Sequence, residues 1–78
     1  MVHAFIMVKT GAGTAADARD SVADIDGVVA CHVVAGKYDV IAEVDGGEMQ
    51  DVLDTVSNRI GTVAGVTETK TYVSLAAA

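Results

Sequence analysis

The chain has 78 residues, a length that fits one small domain spanning residues 1–78 and excludes a multidomain organisation. Eleven acidic residues against five basic ones give a formal charge of −6, which opposes the neutralisation of phosphates and argues against direct binding of DNA or RNA. Hydrophobic residues make up 51% of the chain, yet no apolar run approaches the ~20 residues of a membrane span, and no signal-peptide pattern is present.

The cysteine content bears on compartment and on stability. Cys31 is the single cysteine, which excludes an internal disulfide, and one thiol suits the reducing cytoplasm. A domain of this size buries only roughly 60–65% of its unfolded surface, and such domains often gain stability from a partner subunit. We therefore expect a cytoplasmic, oligomeric protein. Its acidic, lysine-poor composition also resembles that of proteins from a high-salt cytoplasm.

The first half of the chain predicts a strand, a helix and a second strand. The β-branched and aromatic run at residues 2–9 is typical of a strand. Apolar residues then recur at helical spacing: Ala15, Ala18, Val22 and Ile25. Thr14 stands three residues before Asp17, which predicts a capping box at the start of this helix, and the helix should end near residues 26–27. The apolar run at residues 28–35 predicts the second strand.

The second half predicts the same order of elements. A tight turn at Gly36 and Lys37 joins the second strand to a third at residues 38–44. A second helix opens at residues 45–47, and a fourth strand follows at residues 66–75. The predicted apolar face of this helix consists of Met49, Val52, Leu53, Val56 and Ile60.

The order strand–helix–strand, repeated, predicts an α+β fold of the ferredoxin-like βαββαβ type with an antiparallel four-stranded sheet. In the first strand one face carries Ala4, Ile6 and Val8, and the other carries Phe5 and Met7. Two short helices cover one face of such a sheet, which leaves an apolar face too large for a monomer. A second copy stacked sheet on sheet would cover it, so we expect at least a homodimer, in a dimeric α/β barrel-type assembly.

No catalytic or metal-binding constellation stands out. Cys31 and His32 are neighbours on a strand, so their side chains point to opposite faces and cannot form a thiol–imidazole pair. His3 and His32 could lie on adjacent strands, but no carboxylate is obviously placed to complete a metal site. Glu43 and Asp45 are interpreted as a polar face or strand edge. We therefore predict no catalytic residues, no metal and no cofactor.

Two stretches carry more functional chemistry than the rest. Residues 36–39, Gly-Lys-Tyr-Asp, place a conformationally permissive glycine beside a donor, a ring and a carboxylate. Thr67, Thr69 and Thr71 alternate along the last strand, which places their hydroxyls on one face. Taken singly, each stretch fits an ordinary turn or a good strand-forming sequence slightly better than a binding site.

Together these stretches resemble the effector-binding (RAM) domain of the Lrp/AsnC transcription regulators, the leucine-responsive regulatory protein and its relatives. The "V-x-G-x-Y-D" pattern of that family matches residues 34–39, and its "G-V-x-x-T-x-T-Y" pattern matches residues 65–72. The resemblance extends from Val2 to Leu75. Two separated motifs in the expected βαββαβ context make it fairly specific.

The resemblance implies properties that composition does not. Members of the family pair through their sheets, assemble into rings of dimers, and bind amino acids or related small molecules between dimers, near the turn and the loop before the last strand. Carried over by position, Gly36, Tyr38 and Asp39 are the expected ligand-binding residues, with Thr69 and Thr71 as weaker candidates. The backbone at Gly36 would hold an amino acid's carboxylate, and Asp39 would pair with its ammonium group.

Full-length regulators carry a helix-turn-helix DNA-binding domain ahead of this module, whereas here Met1 is followed at once by the first predicted strand. We therefore expect a stand-alone form that acts through oligomerisation, including mixed rings with a full-length regulator, and not through direct DNA binding. Two alternatives stay open: a small cofactor-independent enzyme of the dimeric α/β barrel class, and a purely structural oligomerisation module.

Overall fold

A computed structural model describes residues 1–77 and places four strands and two helical segments along the chain. The elements are β1 (Val2–Thr10), α1 (Ala15–Ala23), β2 (Val28–Val33), β3 (Val40–Gly46), α2 (Met49–Asp54) with its π-helical continuation (Thr55–Ile60), and β4 (Val66–Val73). Neither helical segment within residues 1–77 is long and apolar enough to cross a membrane.

The four strands form one antiparallel sheet in the order β2-β3-β1-β4. β1 is central, and Ile6 pairs with Ala42 on β3 and with Thr71 on β4. Both crossover helices lie on the same face of the sheet, with α1 against β2 and β3 and α2 against β3 and β1. This arrangement confirms the ferredoxin-like fold predicted from the order of elements.

The hydrophobic core lies between this sheet and the helices. Strand alternation turns every second residue of β1 and β3 toward the helices, and these side chains are fully buried: Ala4, Ile6, Val8, Val40, Ala42 and Val44. The helices contribute Val22, Val52, Val56 and Ile60. Within residues 1–77, the other face of the sheet carries no helix, and Phe5 on that face is 37% exposed. We call this second face the open face.

The apolar face of the second helix is narrower than predicted. Val52, Val56 and Ile60 are buried, but Met49 and Leu53 are 44% and 43% exposed. Steps of four residues keep the buried side chains on one side of a helix whose turns widen from α to π. Met49 and Leu53, also four residues apart, form a neighbouring stripe that faces solvent.

The predicted helix boundaries need correction. α1 ends at Ala23 and not near residues 26–27. The capping box predicted at Thr14 and Asp17 is wrong, because the Thr14 hydroxyl donates to the Gly11 carbonyl at 2.7 Å and makes no helix cap. α2 begins after Glu48, since residues 45 and 46 still belong to β3, where Asp45 pairs with His3.

The turn between β2 and β3 is also longer than predicted. β2 ends at Val33 and β3 begins at Val40, so residues 34–39 form a six-residue loop instead of a tight turn at Gly36 and Lys37. A hydrogen bond from the Val34 N–H to the Asp39 carbonyl, at 2.9 Å, closes the base of this loop. Tyr38 and Asp39 therefore lie in the loop and not in β3.

Candidate functional site

Three loops meet at the end of the sheet where β1 finishes and β3 starts. The loop after β1 is tied to the loop before β4 by a hydrogen bond from the Gly11 N–H to the Gly65 carbonyl, at 2.9 Å. The 34–39 loop joins them through Asp39, which binds the last residues of β1. We call this junction the loop corner. It brings the Gly-Lys-Tyr-Asp stretch close to the segment that enters β4.

Asp39 is the best-anchored residue of the corner. Its N–H donates to the Val8 carbonyl at 3.0 Å, and its carboxylate Oδ2 accepts the Thr10 N–H at 2.9 Å. Strand pairing between β1 and β3 ends at Val8 and Val40, so the carboxylate supplies the acceptor that the ladder no longer provides. Asp39 thus has a structural role that the sequence did not indicate.

Gly36 and Tyr38 flank this anchor with different degrees of burial. Tyr38 is half-buried, whereas Gly36 and Lys37 are exposed. Gly36 does not have a positive φ, and a Cβ placed on it would meet no atom within 4 Å. The conformational freedom that glycine offers at position 36 is therefore not used within this chain. Within this single chain, neither conformation nor space requires glycine at position 36.

The threonines of the last strand do not all share one environment. Thr69 and Thr71 are half-buried and pair with Val8 and Ile6, so they lie on the helix-covered face of β4. The register slips between Lys9 and Thr10, and Thr67 is the extra residue, with its hydroxyl donating to the Lys9 carbonyl at 3.2 Å. The predicted common face thus excludes Thr67.

Distance along the sheet ranks the two remaining threonines. Val8 pairs with Thr69 on β4 and with Val40 on β3, and its carbonyl accepts the Asp39 N–H. Thr69 therefore lies two strand spacings, roughly 10 Å, from Val40. Thr71 lies one pair further from the corner. The structure therefore groups Tyr38 and Asp39 with Gly36, places Thr69 at the margin of the corner, and leaves Thr71 outside it.

A second set of polar side chains lies on the open face, at the opposite end of β1. The His3 ring sits between two carboxylates of β3, with Nδ1 hydrogen-bonded to Asp45 and Nε2 3.0 Å from Glu43 Oε1. The ring also packs edge-on against Phe5, with ring centroids 5.1 Å apart. About a third of each polar side chain is exposed. We call these three polar residues the His3 cluster.

The geometry of the His3 cluster favours a ring that carries both protons. Ionised carboxylates only accept hydrogen bonds, so both ring nitrogens must carry a proton for both bonds to form. The hydrogen bonds to Asp45 and then to Glu43 accordingly raise the pKa of His3 above its usual value of 6.5. Glu43 and Asp45 are thus more than the polar strand edge that the sequence predicted.

Cys31 and His32 lie on opposite faces of the sheet. Cys31 faces the helices, where burial raises the pKa of its thiol, and His32 is exposed on the open face. The suggestion that His3 and His32 lie on adjacent strands is wrong, because β3 lies between β1 and β2. Across residues 1–77, no group of three or more His, Cys, Asp or Glu side chains could hold a metal ion.

An open depression of about 350 Å³ lies beyond the His3 cluster, at the end of the sheet away from the loop corner. Its polar lining is mostly acidic, with one cation: Asp26, Asp45, Asp51, Asp54, Thr55 and Arg59. Four carboxylates against one guanidinium repel anionic groups such as the carboxylate of an amino acid. The depression therefore does not suit the ligand class that the two sequence motifs suggest.

Comparison with known protein families identifies the fold's relatives. The sequence matches the Lrp/AsnC ligand binding domain over residues 3–78. The chain belongs to this family. A comparison with curated protein sequences gives no match.

Solved structures of similar shape include proteins of the domain's own length and proteins about twice as long. A protein of Thermus thermophilus is 24% identical, with a TM-score of 0.94 over 100% of this chain and 98% of that chain. E. coli AsnC is 21% identical, with a TM-score of 0.90 over 97% of this chain and 52% of AsnC. A transcriptional regulator of Neisseria meningitidis in complex with L-Met is 23% identical, with a TM-score of 0.81, covering 96% and 50%.

In this Lrp/AsnC domain the two motifs that carry the resemblance meet in space. Residues 34–39 form the loop that Asp39 anchors to β1, and residues 65–72 enter β4 on the other side of the same strand. The Gly11–Gly65 hydrogen bond holds the second motif to the end of β1. Two sequence motifs separated by more than a helix therefore border one corner of the fold.

Proposed function

We propose that this Lrp/AsnC domain binds an amino acid or a related small metabolite at the loop corner and acts as a regulatory module. The observation that carries the proposal is the position of Asp39, a carboxylate held at the corner beside the exposed backbone of Gly36. The family's description as a ligand-binding domain supports it, as does the L-Met complex of the Neisseria regulator.

The proposed division of roles follows from donor and acceptor chemistry. Asp39 pairs with the ligand's ammonium group, because a carboxylate has about four lone-pair sites and the Thr10 N–H occupies only one of them. The main chain at Gly36 receives the ligand's carboxylate, and the Tyr38 ring packs against its side chain. Thr69 contributes at the margin, and Thr71 is the weakest candidate.

We further propose that the regulatory output is assembly. The open face pairs two copies into a homodimer, and the loop corner lies at a boundary between dimers in a ring, with the ligand between them. A full-length Lrp/AsnC regulator is a second candidate partner for such a ring. The formal charge of −6 opposes direct contact of this domain with nucleic acid.

The function is proposed to be non-enzymatic. Catalysis by a thiol or an imidazole needs a nucleophile and a base within hydrogen-bonding reach, and Cys31 and His32 lie on opposite faces of the sheet. His3 is held by two carboxylates at a position far from the loop corner. Among the three structures compared above, the Neisseria protein is described as a transcriptional regulator.

A thermal-shift screen of the twenty L-amino acids, at low and at high salt, tests the binding proposal. A ligand present at 100 times its Kd should stabilise the folded state by about 2.7 kcal/mol. Asp39→Asn should keep the fold, because the amide oxygen can still accept the Thr10 N–H, but should abolish the shift. Asp17→Asn, which removes one exposed charge from α1, is the matched control and should keep it.

The results separate the parts of the proposal. If none of the amino acids shifts the melting temperature, amino-acid binding is refuted and a purely structural oligomerisation module becomes the better description. If Asp39→Asn still responds to the same amino acid as the unaltered chain, binding stands but the role given to Asp39 is wrong. Loss of the response in Asp17→Asn would show that net charge, and not the corner, governs it.

A further inference from the structure

The His3 cluster borders the apolar centre of the open face. Phe5 and Tyr72, paired across β1 and β4, are 37% and 57% exposed on this face. Glu43 pairs with Phe5 on the other side, and the His3 ring contacts Phe5 edge-on. Any molecule that covers Phe5 and Tyr72 must therefore also remove water from the cluster.

We propose that the His3 cluster makes the pairing of two copies through the open face depend on pH, so that the copies associate while the His3 ring carries both protons and separate when it loses one. This inference rests on the homodimer of the proposed function. It concerns the regulation of that pairing and not the ligand corner.

The dimensions of the molecule favour a second copy as the occupant of the open face. The chain measures 34 × 25 × 17 Å, and the thin dimension corresponds to one sheet with one helix layer. Its broad side is large enough to supply the roughly 800 Å² per partner that a stable interface buries. A second copy presents the same apolar centre, so both patches are covered at once.

The charge of the cluster decides the direction of the pH dependence. With an imidazolium between two carboxylates, the cluster carries a net charge of −1 and every charge has a hydrogen-bonded partner. A neutral ring can donate only one hydrogen bond, which leaves one carboxylate unpaired and a net charge of −2. Removing that arrangement from water is costly, so the pair of copies should hold the His3 proton more tightly than the single chain does.

Other charged groups lie near Asp45. Asp26, Asp51 and Asp54 line the depression that Asp45 also lines, where Arg59 is the single cation. The pKa of His3 is raised by Asp45 and Glu43 and not by these more distant side chains. Tyr72 on β4 and Ser74, directly after β4, also border the cluster. The Ser74 N–H donates to the His3 carbonyl at 2.8 Å.

The remaining charged groups of the face lie further away. Lys70 pairs with Met7, roughly 13 Å along β1 from His3, and Lys9 with its partner Glu68 is roughly 20 Å away. Both distances exceed the Debye length of about 8 Å at physiological ionic strength. His32 carries the other imidazole of this face, so the test must separate it from His3.

Sedimentation equilibrium of the unaltered chain from pH 6 to pH 9, at constant ionic strength and without added ligand, tests the proposal. Each of the two paired copies retains a His3 proton that the separated chain loses. The dimer dissociation constant should therefore rise with pH by up to about 100-fold per pH unit, and by at least about tenfold across the range. His3→Gln should flatten this dependence. His32→Gln, which alters the other imidazole of the same face, is the matched control and should keep it.

The double substitution E43Q/D45N provides a second route that leaves the His3 ring in place. Without the two carboxylates, pairing no longer favours the protonated ring, so the dissociation constant should no longer rise with pH. Circular dichroism of each variant establishes that the fold is retained. Loss of the rise with pH in a dimeric His3→Gln variant and in a dimeric E43Q/D45N variant would support the proposal.

Several results would overturn it. A dimer of the unaltered chain with a flat profile would refute the pH dependence and leave the proposed pairing intact. A dimer that tightens as pH rises would show that lysines of the second copy neutralise the carboxylates, which reverses the proposed sign. Retention of the slope in His3→Gln would assign it to another group. A monomer at every pH would refute the pairing and this inference together.

Discussion

Replacing Asp39 by Ala should destabilise the fold even in the absence of ligand. The substitution removes the acceptor of the half-buried Thr10 N–H and leaves the two main-chain hydrogen bonds of residue 39 in place. An unsatisfied buried donor costs about 1–3 kcal/mol, and partial access to water at Thr10 favours the lower part of that range. We expect a loss of about 1–2 kcal/mol. Asp39→Asn retains an acceptor oxygen and should lose at most about 0.5–1 kcal/mol.

Thermal and urea unfolding at one fixed protein concentration would measure both variants, because the proposed dimerisation would make the melting temperature depend on concentration. For a domain of this size about 1 kcal/mol corresponds to 4–8 °C, so Asp39→Ala should melt roughly 4–16 °C below the unaltered chain. Equal losses for Ala and Asn would show that the charge, and not the hydrogen bond to Thr10, stabilises the loop. No loss for Ala would refute the structural role of Asp39 altogether.

Three further predictions concern the fold. Because hydrogen bonds raise the pKa of His3, its contribution to stability should be complete below about pH 6.5 and be lost as the pH rises through the raised value; urea unfolding between pH 6 and pH 9 measures this. Ile60→Ala should cost about 2–5 kcal/mol in urea unfolding, and Met49→Ala, on the exposed stripe, less than about 1 kcal/mol. Gly65→Ala should cost about 1–3 kcal/mol, since φ is +92° and the new Cβ would lie 2.8 Å from a threonine hydroxyl, whereas Gly36→Ala should leave the melting temperature unchanged.

The contrast between the two glycines bears on the binding proposal. The backbone of this chain requires glycine at position 65 but not at position 36. A glycine that the fold does not require can still be needed where a ligand or another subunit approaches the main chain. Gly36→Ala therefore tests binding without disturbing the fold, and a loss of the amino-acid response in that variant would be hard to attribute to misfolding.

Much of the fold could be predicted from the sequence because local patterns determine it. Alternation along β1 placed Ala4, Ile6 and Val8 on one face of the strand, and the structure shows that the helices cover this face and bury all three. The order of elements, with right-handed crossovers, then leaves few topologies. The boundaries were less predictable, since residues 34, 35, 38 and 39 are as compatible with a strand as with a loop. Their state depends on contacts with β1 that no local pattern encodes.

The same limit explains why the sequence indicated one part of the site and missed another. Residues 36–39 are adjacent in the chain, so their chemistry is visible as a motif. In the His3 cluster, His3 is 40 positions from Glu43 and 42 positions from Asp45. Alternation places each of these residues on a face of its strand but does not show which residue of another strand lies beside it. Only the strand order, with β3 and not β2 beside β1, brings Asp45 opposite His3. Once the ferredoxin-like strand order is adopted, one correct residue pair between β1 and β3 is enough to identify the cluster. In an antiparallel pair, each residue forward along one strand corresponds to one residue back along the other, so counting from that pair brings Asp45 opposite His3.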